Sequence, residues 1–290
     1  VKPIRAKSPI VQWALDRQPV PRGVDPETFD AGFVRGIVRR MEMLFSDEGK
    51  RRYFRVDARG WSNIPEAPTL IVSNHSGGTT IPDVWGLMFA WHRQFDYARP
   101  LHTLAHEIVF GTVATGRFFE RGGVLRADPE LGETVLTRHR RDLLVMPGGD
   151  VDVWRPYRER YKVKFAGRKG YARLALRAGA PIVPVANAGA HETLRVLTDG
   201  AAFARLIGLP KLARARIFPI HLSIPWGLAI GPWPHLPTPV RLRYRFGRVI
   251  EPPGGPCAPG EEPSEARVDE LDRAVQAEMQ RLLDGLAGER

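Results

Sequence analysis

His75 and Asp83 flank a short Ser-Gly-Gly-Thr-Thr loop at positions 76–80. An imidazole with a carboxylate within reach is the working part of a general base. One ring nitrogen takes the proton, and the acid fixes the tautomer through the other. The surrounding residues predict how the two are held. Thr69 to Ser73 is a short β-branched run that reads as a buried strand, ending at Asn74 and His75. Ile81-Pro82-Asp83 reads as a helix start with proline in its first turn. Gly77 and Gly78 make the loop between them tight enough for the acid to turn back. A histidine at the carboxyl end of a strand sits where open α/β sheets place their ligands.

Two further segments have the same form. Asp142 to Met146 reads as a strand running into Pro147-Gly148-Gly149, then Asp150, Asp152, Trp154 and Arg155. Glycines after a strand let a backbone approach a ligand closely and present N–H groups to a developing oxyanion or a phosphate. Pro181 to Val185 reads as a third strand, followed by Asn187, His191 and Glu192. If these strands are parallel neighbours, the three loops converge on one edge.

The elements that must position these residues alternate. Strands are predicted over 53–57, 69–73, 101–104, 142–146, 181–185 and 241–247. Helices are predicted over 83–95, 106–119, 129–140, 167–179 and 190–198. This alternation predicts an α/β fold, with a mostly parallel central sheet flanked by helices. Residues 1–50 form an arm and an amphipathic helix, 51–253 the α/β domain, and 254–290 a linker and C-terminal helix. Over 27–47, Phe29, Phe33, Ile37, Met41 and Leu44 fall on one face and Arg35, Arg39 and Arg40 largely on the other. That helix either packs on the domain or lies in a membrane interface. In the last helix Val268, Leu271, Val275, Met279 and Leu282 form the stripe to be buried.

Residues 201–239 break the pattern. A basic stretch from Lys211 to Arg216 precedes an apolar, Pro/Trp-rich insertion containing Trp226 and Trp233. It is too short and too broken by proline to span a bilayer. Beside a basic stretch it reads as a lipid-facing patch with its indoles at headgroup level.

The chain has 290 residues, 43% hydrophobic and 26% charged, with a net charge of +11. That charge favours anionic membrane surfaces or phosphorylated substrates. A single cysteine, Cys257, excludes an intrachain disulfide framework and a cysteine zinc cluster. His102 and His106 are four apart but lack a third ligand, so no metal is expected. There is no apolar run long enough to cross a membrane and no signal-peptide core. The chain begins at Val1, so residues are expected to precede it. Nothing in the sequence fixes an oligomeric state.

In order along the chain, Asn74-His75 with Asp83, Arg121-Gly122-Gly123-Val124, Pro147-Gly148-Gly149 and Pro181 to Val185 resemble four blocks. They are those of the glycerolipid acyltransferase superfamily, which includes the lysophosphatidic acid acyltransferases. The Pro-Gly-Gly third block is similar to that of diacylglycerol acyltransferase-like members. The resemblance covers about residues 54–250 and implies direct acyl transfer from a thioester to a hydroxyl. It implies His75 and Asp83 as the catalytic pair. Asn74, Gly77, Gly78, Arg121, Gly148, Gly149, Asp150, Arg155, Arg168 and Glu192 would then contact substrate.

Two departures bear on the acceptor and the acid. The family's His-to-Asp spacing falls here on Thr80. Gly148 and Val151 stand where its third block has glutamate and arginine. The latter change admits a neutral alcohol or acylglycerol beside a lysophospholipid. The implied co-substrate is acyl-CoA or acyl carrier protein, with no permanently bound cofactor. The implied partners are a membrane lipid and an anionic membrane surface, and the implied location is the cytoplasmic, inner face of the membrane, held peripherally. A thioesterase-type hydrolase or a lipid-binding protein on the same scaffold is the alternative, although no Gly-x-Ser-x-Gly nucleophile elbow is present. Nucleic-acid binding would need aromatics interleaved with a basic stripe. Here they cluster with prolines and aliphatics.

Overall fold

The computed structural model describes residues 9–18, 20–47, 53–66, 68–207, 217–258 and 260–289. The helices are α1 (Pro9–Asp16), α2 (Ala31–Met41), α3 (Pro82–Gln94), α4 (Val113–Arg121), α5 (Pro129–Thr137), α6 (Gly149–Val153), α7 (Gly170–Ala178), α8 (Ala201–Leu206) and α9 (Glu265–Gly288). The strands are β1 (Phe45–Asp47), β2 (Phe54–Arg59), β3 (Leu70–Ser73), β4 (Leu101–Ala105), β5 (Val124–Arg126), β6 (Asp142–Val145), β7 (Ile182–Ala188), β8 (Arg195–Thr198), β9 (Ile220–Ser223), β10 (Gly227–Ile230) and β11 (Val240–Phe246).

Eight strands form one sheet in the order β1-β2-β11-β7-β3-β6-β4-β5. Strands β7, β3, β6, β4 and β5 run parallel, so their carboxyl ends share one edge. Only the β11–β7 pair is antiparallel. Every residue of β3 and β7 is buried, which requires layers on both faces. Leu70 and Val72 point toward α5, α7 and α9, and Ile71 points the other way, toward α2 and α3. The α/β architecture with a mostly parallel sheet is therefore the one the alternating pattern predicted. Helix starts follow local chemistry. Asp30, Thr112, Asp128 and Ser264 each accept the N–H three residues on.

Helix α9 buries Val268, Leu271, Val275, Met279, Leu283 and Leu286 in the same core as β3 and β7. Tyr171 Oη–H donates to Asp272 at 2.7 Å, and Lys169 pairs with Asp269 at 2.7 Å, fixing α9 along α7.

Several boundaries differ from the periodic reading. The helix expected over 27–47 is shorter, because Asp30 caps it and the chain enters β1 at Phe45. It buries Val34 and Val38, while Leu44 stays exposed. The helix expected over 106–119 splits into a 3-10 turn, Glu107–Phe110, and α4, which Thr112 caps. Over 190–198 a 3-10 turn, Ala190–Glu192, is followed by strand β8 instead of a helix. Strand β8 pairs with β9, a partner that no local pattern reveals. With β10 these make a second, three-stranded sheet. The basic stretch at 211–216 lies outside the described residues.

Candidate active site

His75 leaves the carboxyl end of β3 in the middle of the parallel strands. Asn74, one residue earlier, is fully buried. Its Oδ1 accepts the Asn187 N–H at 2.8 Å and its amide donates to Asn187 O at 3.0 Å. The side chain thus adds one more rung between β3 and β7. Ser76 Oγ–H donates to Asn187 Oδ1 at 2.9 Å. Asn74 therefore spends its polar atoms on holding the strand ends.

The loop then turns back. Gly77 has φ of +95°, open to glycine at little cost. Gly78–Thr80 is a single 3-10 turn, and Ile81 sits at φ of +42°, an unusual backbone for a β-branched residue. Pro82 begins α3, and Asp83 falls in its first turn. The Asp83 carboxylate accepts the His75 Nδ1–H at 2.8 Å and the Ser76 N–H at 2.7 Å through the same oxygen. Tyr244 Oη–H donates to Asp83 O at 2.7 Å, pinning the turn from β11. Thr80, at the family's usual acid position, faces His235 Nε2 at 3.2 Å.

Asp83 is fully buried, while the His75 side chain is 16% exposed. A substrate can reach the ring but not the acid. Burial presses the His75 pKa downward. The Asp83 carboxylate outweighs it, Asp152 adds to Asp83, and the net shift is upward.

A second carboxylate meets His75 from the other side. Asp152, on α6, accepts the His75 backbone N–H at 2.6 Å. Its other oxygen lies 3.2 Å from Arg155 Nη2, and both side chains are fully buried. Burial pushes the Asp152 pKa up, with Arg155 and the His75 N–H opposing. Gly148 is required here by close approach: a Cβ would stand 2.3 Å from that of Asp152. His191, buried against the same cluster, is held well below the ordinary imidazole range by burial first and Arg155 second, so it is neutral. Asp83 Oδ1, Asp152 Oδ1, all three Arg155 nitrogens and His191 Nε2 are buried without hydrogen-bond partners among the described residues. Buried polar atoms are nearly always paired, so such a concentration around one imidazole marks a functional site.

The other expected contacts divide. Gly149 N–H donates to Met146 O at 3.2 Å, closing the turn instead of facing a ligand. Arg168 donates to Gly148 O and to Asp150, both at 2.7 Å, bracing the Pro-Gly-Gly turn from outside. Arg155 is sealed in with Asp152 and offers nothing to a phosphate at the surface. Arg121 precedes the amino end of β5 and so lies on the opposite edge of the sheet, paired with Asp30 at 2.7 Å. Arg126 ends β5, at the carboxyl edge of the parallel strands, with its guanidinium 6.0 Å from the Phe110 ring centroid. Glu192 is exposed and lines a cavity of about 330 Å³ with Tyr157, Arg160 and Arg241; neither His75 nor Asp83 lines it. His102 is buried beside Gly123 O, and His106 caps a 3-10 turn. Among the described residues no three His, Cys, Asp or Glu are grouped to hold a metal.

Sequence reasoning placed Asp152 and Asn187 in the strand-end loops without giving them a role, and it missed Tyr244 and His235. Asp152 carried a signal, as the second acid after a strand-end glycine pair. Tyr244 and His235 come from segments more than 150 residues further along the chain and carried none.

A histidine–aspartate pair at the carboxyl edge of a parallel α/β sheet, whose neighbour Ser76 is buried with its hydroxyl bonded to Asn187, suits direct transfer chemistry. The model of the Acyltransferase family matches residues 55–188, which span β3 through β7. An uncharacterized protein of Mycobacterium tuberculosis is 31% identical over 266 residues, covering 90% of this chain and 70% of the relative. A protein of Gallus gallus described as a DGAT1/2-independent enzyme synthesizing storage lipids is 29% identical over 184 residues, covering 62% of this chain and 54% of its own. Among solved structures, the 1-acyl-sn-glycerophosphate acyltransferase PlsC of Thermotoga maritima is 13% identical, with a TM-score of 0.48 over 87% of this chain and 77% of its own. The chain belongs to the acyltransferase family and is an acyltransferase.

Proposed function

We propose that the protein moves a fatty acyl group from acyl-CoA or acyl carrier protein to a lipid hydroxyl, with His75 as general base. The observation that carries this reading is the 2.8 Å bond from His75 Nδ1–H to a fully buried Asp83, with the imidazole itself reachable. The bond leaves Nε2 to take the proton of the acceptor hydroxyl as its oxygen attacks the thioester carbon. The tetrahedral adduct collapses, the C–S bond breaks, and the imidazolium returns the proton to the departing thiolate. No acyl-enzyme is needed.

With glycine and valine in the third block, the acceptor is a lysophospholipid, an acylglycerol or a related alcohol. The enzyme works as a peripheral protein on the inner, cytoplasmic face of a membrane. No helix among the described residues is long and apolar enough to cross one. The +11 charge suits an anionic surface.

The test is thiol release from acyl-CoA with a panel of lysophospholipids, mono- and diacylglycerols and long-chain alcohols, using the parent and His75→Ala. Acceptor-dependent release that His75→Ala abolishes is expected. Release that needs no acceptor would make the protein a hydrolase, and release indifferent to His75→Ala would remove the base.

A further inference from the structure

The small sheet inverts the usual pattern of a half-buried sheet. Its register pairs Leu228 with Leu222, Ala229 with His221 and Ile230 with Ile220. His221 and Ala229 are buried with Val196, and the His221 ring lies 5.1 Å from Trp154. Leu222, Leu228 and Ile230 are exposed on the other face, at 43%, 63% and 53%. An antiparallel sheet with one solvated face ordinarily alternates apolar inside with polar outside. Here Leu222, Leu228 and Ile230 face outward while the polar His221 is the buried residue.

The β9–β10 turn and the segment after β10 extend the surface. Ile224, Trp226 and Trp233 are each more than half exposed, and the two indoles lie 6.0 Å apart. Both indole N–H groups donate inward, to Pro234 O and Ile230 O, so the rings present carbon to the outside.

We propose that Leu222, Ile224, Trp226, Leu228, Ile230 and Trp233 form the surface by which this protein docks on an anionic lipid layer. The proposal names the partner of the acyl-transfer site and rests on that reading for its purpose. Three observations select a lipid surface over another protein. The chain carries a net charge of +11. The exposed Arg195 faces Leu222 across the β8–β9 register, placing a cation at the rim of the apolar face as headgroup contact requires. The surface is also continuous with the catalytic loop. Thr79 Oγ–H donates to Trp233 O at 3.3 Å, and Thr80 faces His235 at 3.2 Å. A Cβ on Gly78 would stand 2.9 Å from His235 Cε1. Residues 233–235 thus join the docking face to the loop that holds His75 against Asp83, and docking sets that loop at the layer containing the acceptor.

Flotation with phosphatidylcholine vesicles, with and without phosphatidylglycerol, reads docking apart from turnover. The parent and His75→Ala should float together with the anionic vesicles. Leu222→Thr, Leu228→Thr and Ile230→Thr should each weaken partitioning by about tenfold. Trp226→Phe and Trp233→Phe, checked for an unchanged circular dichroism spectrum, should each reduce quenching of tryptophan emission by brominated acyl chains.

Unchanged flotation of the threonine variants, or unchanged quenching in the phenylalanine variants, overturns the proposal. So does a parent that ignores vesicles but sediments as a dimer which Leu228→Thr dissociates, since the face would then be a self-interface. Flotation without acyl transfer would overturn the proposed function and leave the docking surface standing. Transfer to a soluble acceptor without flotation would overturn docking alone.

Discussion

At the carboxyl edge of the large sheet, Asn74, Ser76, Asp83, Asp152 and Arg155 are buried. On the outer face of the small sheet, Leu222, Leu228, Ile230 and two tryptophans are exposed. The two regions meet at residues 78–80 and 233–235, and each reverses the usual placement of polar and apolar groups. Burying charge is costly, and here it is offset by the ion pair of Asp152 with Arg155 and by the N–H groups that the two carboxylates accept. Exposing a contiguous apolar face is unfavourable in water and marks an interaction surface. The first reversal gathers carboxylates around an imidazole, and the second makes the face proposed to dock on a lipid layer. The comparison also separates the roles of the two acids. Asp83 bonds the ring of His75, while Asp152 bonds its backbone, and both carboxylates raise the imidazole pKa.

The sharpest break in that comparison is His75→Ala, expected to lower kcat by about 10³-fold or more with the fold intact, since general-base catalysis is worth roughly 10²–10⁴-fold. Acceptor-dependent thiol release together with an unchanged circular dichroism spectrum measures it. Next is Asp152→Leu, which removes the acceptor of the His75 N–H and leaves Arg155 buried without its counter-charge. Urea unfolding should show a loss of about 3–5 kcal/mol. Asp152→Asn keeps an acceptor for that N–H but also removes the counter-charge of Arg155, so it should lose somewhat less, and the difference between the two variants reads the N–H bond alone.

Asp83→Asn should lower kcat by about 10²-fold. Asp83 raises the His75 pKa, so the acid limb of the kcat/KM profile should also move to lower pH. An unmoved limb would mean that Asp83 does not govern the base.

A smaller effect is read by pH alone. Burial lowers His92, His102 and His235 from an ordinary 6.5 to about 4. Between those values the unfolded chain binds protons that the folded chain refuses. Stability is therefore full above pH 6.5 and falls as pH drops toward 4. Tm measured across this window should decline, and replacing His92 with Phe should flatten part of the decline. The smallest effect is on the stability of the outer face. Leu228→Thr should change unfolding free energy by no more than about 0.5 kcal/mol, because an exposed side chain leaves no cavity.

Much of the fold was legible because hydrophobic periodicity is local. Strands β3, β6 and β7 are short buried runs, and each ends in a loop whose glycines, asparagines and acids announce a ligand edge. The stripe of α9 was readable for the same reason, apart from its last turns, where Leu283 and Leu286 take the buried face. The small sheet was not legible. Its strands are only four residues long, and where β9 does alternate, the polar His221 is buried and the apolar Leu222 exposed, the reverse of what a local pattern implies.

The sequence by itself determined which groups could act as base and acid and which strand ends carry them. Those features follow from residue type and from neighbours a few positions away. Tertiary structure decided whether Asp83 reaches His75, because that depends on a positive-φ turn at Gly77 and Ile81 and on Tyr244 closing from β11. It also decided that Arg121 lies at the far edge, that Asp152 and Arg155 are sealed behind the imidazole, and that residues 233–235 come to rest on the catalytic loop. Each of these is a contact between segments far apart in the chain, and their energies come from burial and pairing that no local pattern encodes.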